Sequence, residues 1–359
     1  MSFKSLNYLG LVDVDSAVGV AKKIKNTVDA SNALGVDSNA YFFKTDFKGL
    51  LSFLKSLAKC RSDIVVIRFN DLVFPLVFFI LIYLRLKNKR VIIDIPTPRV
   101  IGLQEISVLI KNPIYRVFRK GVSYLSGSWV LFPANLIIQY ADEGRWFKLG
   151  LTDKTLKMGN GILVRNESTV LRNSVWPANE LKLVAVANIS NWHGFDRVLK
   201  AIAVTNNLQL PYRVTFTLIG EGDELNNLRK LSQTLGVEKN IHFIGKKVGG
   251  ELSEILAGSH VGISSLGLFR KGLNEASDLK TREYMLSGLP VIGVGVDPDF
   301  HSECKFRYVI PNDDSIESLI QLIKSFEKTN FSTPREINKF AHSHLSLEAK
   351  VEKIFLTLS

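Results

Sequence analysis

The chain has 359 residues, of which 46% are hydrophobic and 22% charged, and this suits a globular protein of two domains rather than a disordered one. It contains only two cysteines, Cys60 and Cys304, so the sequence predicts no disulfide framework and indicates a reducing compartment. The first fifteen residues lack the apolar core and cleavage site of a secretory signal peptide, and we therefore expect a cytoplasmic protein.

The positive charge is unevenly distributed along the chain. Residues 1–170 contain 24 Lys and Arg against 13 Asp and Glu, a net +11, whereas residues 171–359 contain 22 against 21, a net +1, and the sum is the +12 of the whole chain. A basic first half suits an anionic membrane surface or a phosphorylated substrate. Nucleic acid is disfavoured, because aromatic residues do not alternate with the basic ones and no zinc-finger spacing is present.

In the first half, short apolar segments that suit strands alternate with longer segments that suit helices. Residues 63–68 and 91–95 are rich in Val and Ile, as buried strands are. This alternation predicts a parallel sheet covered by helices. The predicted strands are 6–13, 36–43, 63–68, 91–95, 130–132 and 155–158, and the predicted helices are 20–33, 47–59, 72–87, 105–125 and 135–149.

The alternation stops at the polar, irregular residues 164–179 and then begins again. We therefore predict an α/β protein of two consecutive doubly wound, Rossmann-like domains that face a cleft, with the ligand outside the carboxyl ends of the strands. The second set of strands is predicted at 181–188, 213–220, 241–245, 260–264 and 290–294, and its helices at 194–204, 224–235 and 279–287. The predicted bounds are 1–165 for the first domain, 166–180 for the linker, 181–332 for the second domain and 333–359 for C-terminal helices that pack back on the first.

Two segments of the first half raise the question of a membrane. Residues 73–84 are almost entirely apolar, but twelve residues are too few to span a bilayer, which needs about 20. They suit either a buried helix that covers the sheet or partial insertion at a membrane surface, supported by the basic residues 85–90. Residues 105–125 combine apolar and basic side chains, and they suit either a membrane surface or packing on the sheet.

The most informative stretch of the sequence is 272–294. Glu275 and Glu283 are separated by seven residues, Ser277 or Asp278 suits a helix N-cap, and the following helix ends near Gly288 before a buried strand. A helix N-terminus suits an anion, and carboxylates suit sugar hydroxyls. The stretch therefore predicts a nucleotide-sugar site.

Glu275-x7-Glu283, followed by residues 284–292, resembles the donor-site signature of retaining glycosyltransferases of family 4 (glycosyltransferase group 1), which have the two-domain GT-B fold. The Trp-His-Gly-Phe-Asp-Arg sequence at 192–197 is similar to the variant found in cell-surface polysaccharide transferases. The resemblance covers about 160–330, and its other motifs are Asn160-Gly161-Ile162, Leu218 to Gly222 and Ile241 to Gly245.

The resemblance implies roles for residues of the second domain. It implies that Glu283 binds the ribose diol of the nucleotide and that Glu275 lies near the donor sugar. Backbone N–H groups near Leu279 and Lys280 are implied to hold the distal phosphate, with the Lys280 ammonium adding charge. The other residues we expect at the donor are Asp278, Gly245 and Lys246 near the base, and Gly19, where the backbone of the first domain can approach the diphosphate.

The phosphate-binding cations depart from the family pattern. The family has a lysine at the position of His193 and an arginine about six residues earlier, where this chain has Ala187 or Asn188. We expect a protonated His193 to donate to a phosphate oxygen, with Ser190, Asn191 or Lys280 sharing the task. The alternative is a structural His193 that caps its turn.

Candidate acceptor-binding residues follow the predicted strands of the first domain: Asp15, Arg68, Asp94 and Thr97. Two Asp-x-Asp sequences, 13–15 and 297–299, are interpreted as loop residues rather than metal ligands, because helix dipoles and cations take the place of a metal in this fold. We therefore expect no metal or other cofactor. Gly220-x-Gly222 lacks the third glycine of a dinucleotide fingerprint, so NAD is not predicted.

These observations predict a retaining glycosyltransferase that moves a sugar from a nucleoside-diphosphate donor to a glycan or lipid-linked acceptor in cell-surface polysaccharide biosynthesis. We expect it to be cytoplasmic and peripheral at the inner face of the cell membrane. Two alternatives remain open. One is a non-catalytic, glycosyltransferase-like partner subunit, motivated by the missing arginine, and the other is a nucleotide-sugar epimerase.

Overall fold

The computed structural model describes residues 3–164, 170–173, 179–301, 304–329 and 331–359, apart from the side chains of 104, 105 and 107–109. The chain forms two compact units, one of residues 1–163 with 347–359 and the other of residues 164–346. Most of the predicted linker, 166–180, falls outside the described residues. Among the residues described, no helix has both the length and the apolar character needed to cross a bilayer.

The first unit is built on a six-stranded parallel sheet. Its elements are β1 Ser5–Leu11, α1 Val18–Ala33, β2 Asp37–Phe43, α2 Phe47–Ala58, β3 Ile64–Arg68, α3 Phe74–Leu86, β4 Arg90–Ile95, α4 Arg99–Leu109, α5 Pro113–Leu125, β5 Leu136–Gln139, α6 Arg145–Lys148 and β6 Thr155–Lys157. The strand order is β2-β1-β3-β4-β5-β6, and every neighbouring pair is parallel. The carboxyl ends of all six strands therefore lie at one edge of the sheet, where ligands of such folds bind.

The second unit repeats this arrangement. Its elements are β7 Glu180–Val186, α7 Phe195–Thr205, β8 Arg213–Ile219, α8 Leu225–Thr234, β9 Ile241–Phe243, α9 Gly249–Ala257, β10 Val261–Ile263, α10 Leu279–Leu286, β11 Val291–Val294, β12 Arg307–Ile310, α11 Glu317–Ser325 and α12 Pro334–Phe340. The parallel strands are ordered β12-β11-β10-β7-β8-β9. The predicted α/β class, with two doubly wound parallel sheets, is confirmed.

The C-terminal segment 333–359 is divided between the units. Gly288, after α10, packs against Pro334 at the start of α12, and the Asn338 side chain donates to the Leu286 carbonyl at 2.6 Å, so α12 packs on the second unit. The last helix, α13 Leu347–Leu358, belongs to the first unit. Its inward face (Leu347, Val351, Ile354, Phe355 and Leu358) completes a core formed with β1, β3, β4, β5 and α1.

Residues 130–149 were predicted wrongly. Residues 130–132 are not a strand but belong mostly to a 3-10 turn, and 135–149 is not one helix but contains β5 and the four-residue α6. Asn135 starts β5 by exchanging hydrogen bonds with Val91 of β4, donating its backbone N–H and accepting through its side chain, each at 2.8 Å. A run of three apolar residues, such as 136–138, fits helix and strand equally well, and only such a neighbour decides between them.

The predicted helix at 105–125 is two helices. Asn112 accepts from the Tyr115 N–H at 3.1 Å and so caps α5, which begins at Pro113, a residue that cannot continue the preceding helix. Residues 73–84, in contrast, do form a helix that covers the sheet, since Phe74, Val77, Leu81 and Leu84 of α3 are buried. Elements α9, β12 and α11 were not predicted.

Candidate functional site

The site in the second unit is organised by the N-terminus of α10. The Asp278 carboxylate accepts from the Thr281 N–H at 2.8 Å and so caps the helix, as predicted, while the Ser264 hydroxyl donates to its other oxygen. Burial raises the pKa of Asp278, but the charge of Lys280 and the hydrogen bonds from Ser264 and Thr281 outweigh it and lower the pKa overall. The cap is therefore a carboxylate at neutral pH, held at the end of β10.

Tyr284 fixes α10 against the strands β7 and β10. Its ring packs so closely on Gly262 of β10 that a Cβ there would meet Cδ2 at 2.4 Å. Its hydroxyl accepts from the Val186 N–H, at the end of β7, at 2.7 Å. Glu283 precedes Tyr284 and is exposed in the second turn of the helix, so the buried tyrosine positions the exposed carboxylate.

Replacing Tyr284 by phenylalanine is expected to destabilise the second unit by about 1–3 kcal/mol, because the Val186 N–H loses its acceptor. Thermal unfolding measures this effect. Tyr41→Phe, at a largely exposed tyrosine, is the matched control and should leave the melting temperature unchanged. Equal melting temperatures for Tyr284→Phe and wild type would contradict the anchoring role.

His193 lies in a tight turn, Asn191–His193, after β7. The Ser190 N–H donates to Nδ1 at 3.0 Å, and the ring stacks against Trp192 and Phe195, with centroids 3.9 and 5.3 Å away. Burial first, and then the charge of Lys280, lower the pKa of His193 to about 3. In the free protein a neutral ring accepts at Nδ1 and can donate from Nε2, and protonation of His193 by the charge of a bound diphosphate stays a prediction.

Two glycines bring another turn against this segment. Gly220 and Gly222 have φ of +127° and +152°, and a Cβ on them would meet the carbonyl oxygens of Ala187 and Ile189 at 1.9 and 2.1 Å. The Ile189 N–H donates to the Glu221 carbonyl at 2.6 Å. The Gly-x-Gly turn thus supports the backbone that leads to His193.

Lys280, in the first turn of α10, points its ammonium into this site. The Nζ atom is buried and has no hydrogen-bond partner among the described residues. It lies 5.6 Å from the ring centroid of Trp192 and 5.9 Å from that of Phe195. Burial lowers its pKa to about 8, against the opposing effect of Asp278, so the group is mostly charged at pH 7.

Arg270, which the sequence analysis missed, fixes the turn of His193. Its guanidinium binds both oxygens of Asp196 at 2.8 and 3.0 Å and one oxygen of Asp314 at 2.7 Å, and it donates to the Asn191 carbonyl at 2.8 Å. Since its charge is matched by two carboxylates, Arg270 supports the site rather than replacing the arginine that the sequence resemblance implies near Asn188. These partners are far away in sequence, so no local pattern indicates them.

The carboxylates of the second Asp-x-Asp sequence are engaged by a buried arginine. Arg282 of α10 binds both oxygens of Asp297 and one oxygen of Asp299, the latter at 2.6 Å. It also donates to the Asp278 carbonyl at 3.1 Å. Within the described ranges, no group of three His, Cys, Asp or Glu side chains could hold a metal ion.

The remaining donor-site candidates lie at the same edge of this unit's sheet. Glu275 pairs through its backbone with Val296 and is partly buried. Gly245 has φ of +70° and accepts from the Gly220 N–H at 2.8 Å, while Lys246 beside it is exposed. Ser190 and Asn191 belong to the turn that contains His193. Asp278 is the N-cap of α10, and Leu279 and Lys280 lie in its first turn.

In the first unit the structure brings together two of the four acceptor candidates. Arg68 and Asp94, at the ends of β3 and β4, form an ion pair of 3.5 Å, and the Tyr8 hydroxyl donates to Asp94, which is 2% exposed. A cavity of about 40 Å³, with Lys23 in its wall, adjoins Asp94. The other two candidates, Asp15 and Thr97, are exposed on loops, and Gly19 is exposed in the first turn of α1.

Comparisons with known proteins agree with this architecture. Residues 167–344, nearly the whole second unit, match the family described as glycosyl transferases group 1. The apo lipopolysaccharide outer core galactosyltransferase WaaB is 11% identical over 98% of this chain and 99% of its own, with a TM-score of 0.65. A glycosyltransferase from Rickettsia africae is 12% identical over 100% and 98%, with a TM-score of 0.60. Starch synthase IV of Arabidopsis thaliana, bound to ADP and acarbose, is 11% identical over 100% and 99%, with a TM-score of 0.58.

A search of curated protein sequences finds no match. At 11–12% identity the structural similarities show the fold alone, and that fold is the GT-B fold of glycosyltransferases. The match to the glycosyl transferases group 1 model covers nearly the whole second unit, and the two findings together support a glycosyltransferase.

Proposed function

We propose that this protein is a retaining glycosyltransferase of family 4 that moves a sugar from a nucleoside-diphosphate donor to a glycan or lipid-linked acceptor in cell-surface polysaccharide biosynthesis. One observation carries the proposal. The Lys280 ammonium is buried, lacks a hydrogen-bond partner among the described residues, and lies beside the His193 turn at the N-terminus of α10. A buried ammonium without a hydrogen-bond partner is costly even with the charge of Asp278 nearby, and a diphosphate is the ligand that supplies such partners.

The leaving diphosphate takes up negative charge as the glycosidic bond breaks. Lys280 supplies a cation, His193 a neutral Nε2–H donor, and the first turn of α10 supplies N–H groups that have no acceptor within the helix. Asn188 and Ala187 cannot supply the charge of the arginine usual in the family. The proposal therefore places the main cationic contribution on α10 rather than on the segment after β7.

The rest of the donor has candidate partners around the same helix. The exposed Glu283 suits the ribose diol, and Glu275 suits the sugar. The backbone at Gly245 and Lys246 suits the base, and Ser190 and Asn191 suit the phosphates. The polar edge of this unit, with donors at the helix N-terminus and carboxylates on either side of it, supports this arrangement.

The mechanism implied by the family resemblance needs few protein groups. The acceptor hydroxyl attacks the face from which the diphosphate departs, and a departing phosphate oxygen accepts its proton. The protein orients the reactants and stabilises charge, so we propose that it needs no metal or other cofactor.

The acceptor is proposed to bind the first unit. Asp94 is buried and holds Tyr8 and Arg68, which supports a positioning role rather than direct contact with a sugar. Arg68, less deeply buried, and the exposed Asp15 and Thr97 are the candidates for direct contact.

Donor binding tests the proposal. Isothermal titration with a panel of nucleotide-sugars should identify a donor that binds wild type and binds Glu283→Ala about 10- to 100-fold more weakly, because two hydrogen bonds to a carboxylate are lost. The control is Glu254→Ala, at an exposed carboxylate of α9, which should bind like wild type. Equal affinity of wild type and Glu283→Ala would remove the ribose role, and binding of no member of the panel would count against the function.

A non-catalytic partner subunit is the second candidate, favoured by Asn188 at the arginine position and by the neutral His193. Such a protein binds a nucleotide without turnover. Formation of a glycosylated product from any donor and acceptor pair would eliminate this candidate.

A further inference from the structure

Helix α5 of the first unit has its apolar side chains on the opposite face from that of an ordinary surface helix. A surface helix buries its apolar side chains and exposes its charged ones. In α5 most of the apolar side chains face solvent, whereas Arg119 and Ser123 face the protein. An exposed apolar surface of this kind marks an interaction site, so the outward-facing apolar side chains of α5 indicate a binding partner.

The outer face of α5 is a continuous apolar stripe. Ile114, Val117, Phe118 and Leu125 are 82%, 71%, 61% and 77% exposed. They follow the i, i+3, i+4 and i+11 spacing of a single helix face, with Gly121 between them. We call these five residues the α5 stripe.

The inner face of α5 is polar and well bonded. Arg119 binds Asp71 at 3.2 Å, and the Ser123 hydroxyl donates to the same carboxylate. The Ser126 hydroxyl, after the helix, donates to the Asp71 carbonyl at 2.9 Å. The orientation of α5 is therefore fixed by specific bonds that keep the stripe outside.

A second apolar surface adjoins the stripe. The indole N–H of Trp129 donates to the Leu125 carbonyl at 2.8 Å, and its ring packs on Phe78 of α3 at 5.1 Å. On α3, Phe79 is 72% exposed. Further exposed aromatic side chains with polar tips are Tyr83, Tyr115, Tyr124 and Trp146.

We propose that the α5 stripe inserts into the interfacial region of an anionic bilayer. Charge decides the occupant: residues 106–141 and 72–93 contain no Asp or Glu, and besides Arg119, which is paired with Asp71, they carry Lys111, Arg116, Lys120, Arg85, Lys87, Lys89 and Arg90. Basic side chains beside an apolar helix face, with Tyr and Trp at the margin, match the headgroup and acyl layers of such a surface. The inference does not depend on the proposed sugar transfer.

A second copy of the chain is the competing occupant, and charge disfavours it. Two copies that met through their stripes would bring the same basic residues together without acidic partners within these ranges. A bilayer that contains phosphatidylglycerol supplies the opposite charge.

Co-sedimentation with vesicles tests the proposal, using the whole chain and vesicles of phosphatidylglycerol and phosphatidylcholine or of phosphatidylcholine alone. Wild type should bind the anionic vesicles and bind less as salt rises. The variant Ile114→Ser/Val117→Ser/Phe118→Ser should bind them at least about tenfold more weakly, because it loses the buried apolar area but no charge. The matched control, Val248→Ser/Val309→Ser, removes exposed apolar side chains from the second unit and should bind like wild type.

Three outcomes would overturn the inference. The first is no vesicle binding by wild type at low salt, and the second is equal binding by wild type and the triple variant. The third is a wild-type protein that forms a dimer but does not bind vesicles, when the triple variant no longer forms that dimer. The substituted side chains are exposed, so the triple variant should keep its melting temperature and its affinity for the nucleotide-sugar. These two readouts separate failure of the membrane contact from misfolding and from failure of the proposed function.

Discussion

Replacing Lys280 by methionine is expected to lower kcat about a hundredfold or more while leaving the protein at least as stable as wild type. The first effect follows from the proposed role of Lys280 as the cation beside the leaving diphosphate. The second follows because the buried Nζ has no hydrogen-bond partner among the described residues, so methionine removes a desolvation cost without breaking a bond. Steady-state kinetics and thermal unfolding measure the two effects.

The matched control is Lys271→Met. This ammonium also lies over the Trp192 ring, at 4.1 Å, but Lys271 is exposed. We expect its kcat to stay within a few-fold of wild type. Equal losses of activity in both variants, or a marked loss of stability in Lys280→Met, would contradict the role given to Lys280.

The lowered pKa of Lys280 also predicts how activity and stability change with pH. The kcat/KM of the free enzyme should fall as pH rises through about 8, because the ammonium loses its proton there. The folded pKa of about 8 lies below the ordinary value of 10.5, so between these values the unfolded chain binds more protons. The unfolding free energy of wild type relative to Lys280→Met should therefore rise over this interval, by up to ~3 kcal/mol, and stay constant below it.

Replacing Asp297 by alanine is expected to destabilise the second unit by about 3 kcal/mol or more. The guanidinium of Arg282 is fully buried and relies on Asp297 for two of its bonds, and a buried charge that loses its partner is costly. Chemical denaturation measures this loss. If the Asp-x-Asp carboxylates bound a metal instead, stability would respond to added divalent ions, whereas we expect none.

Asp313→Ala is the control for Asp297→Ala. Asp313 also pairs with a fully buried arginine, Arg197, but over 3.7 Å and from a largely exposed position. Arg197 keeps its bonds to the carbonyls of Ser315, Leu266 and Pro311 when that carboxylate is removed. A cost below about 1 kcal/mol is expected for Asp313→Ala, and a similar cost for both variants would contradict the buried-pair argument.

The sequence alone correctly predicted the features that are determined by residues close together in the chain. Helix α10 begins at Leu279 after Asp278, one of the two predicted caps, because the cap and the terminating Gly288 are both local signals in the sequence. The alternation of β-branched strands and helices was sufficient for the α/β class. Residues 130–149 were predicted wrongly, since the three apolar residues 136–138 fit either period until β4 provides a partner for β5.

The environment of the candidate site could not be predicted, because distant segments create it. Arg270 binds Asp196, 74 residues earlier in the chain, and no pattern in either segment shows this. The lowered pKa of His193 arises from burial and from Lys280, a residue of another element. Likewise, the sequence showed that residues 105–125 combine apolar and basic side chains but not that the apolar side of α5 faces outward, which depends on Asp71.

The position of α13 has a consequence for the order in which the chain folds during synthesis. Its apolar face completes the core of the first unit, yet residues 347–358 leave the ribosome only after the whole second unit, residues 164–346. Until then, apolar side chains on β1, β3 and β5 lack their cover, as aggregation-prone folding intermediates do. The second unit is continuous in sequence, so it can fold while the first unit still lacks α13. This is the reverse of the usual N-to-C order of folding.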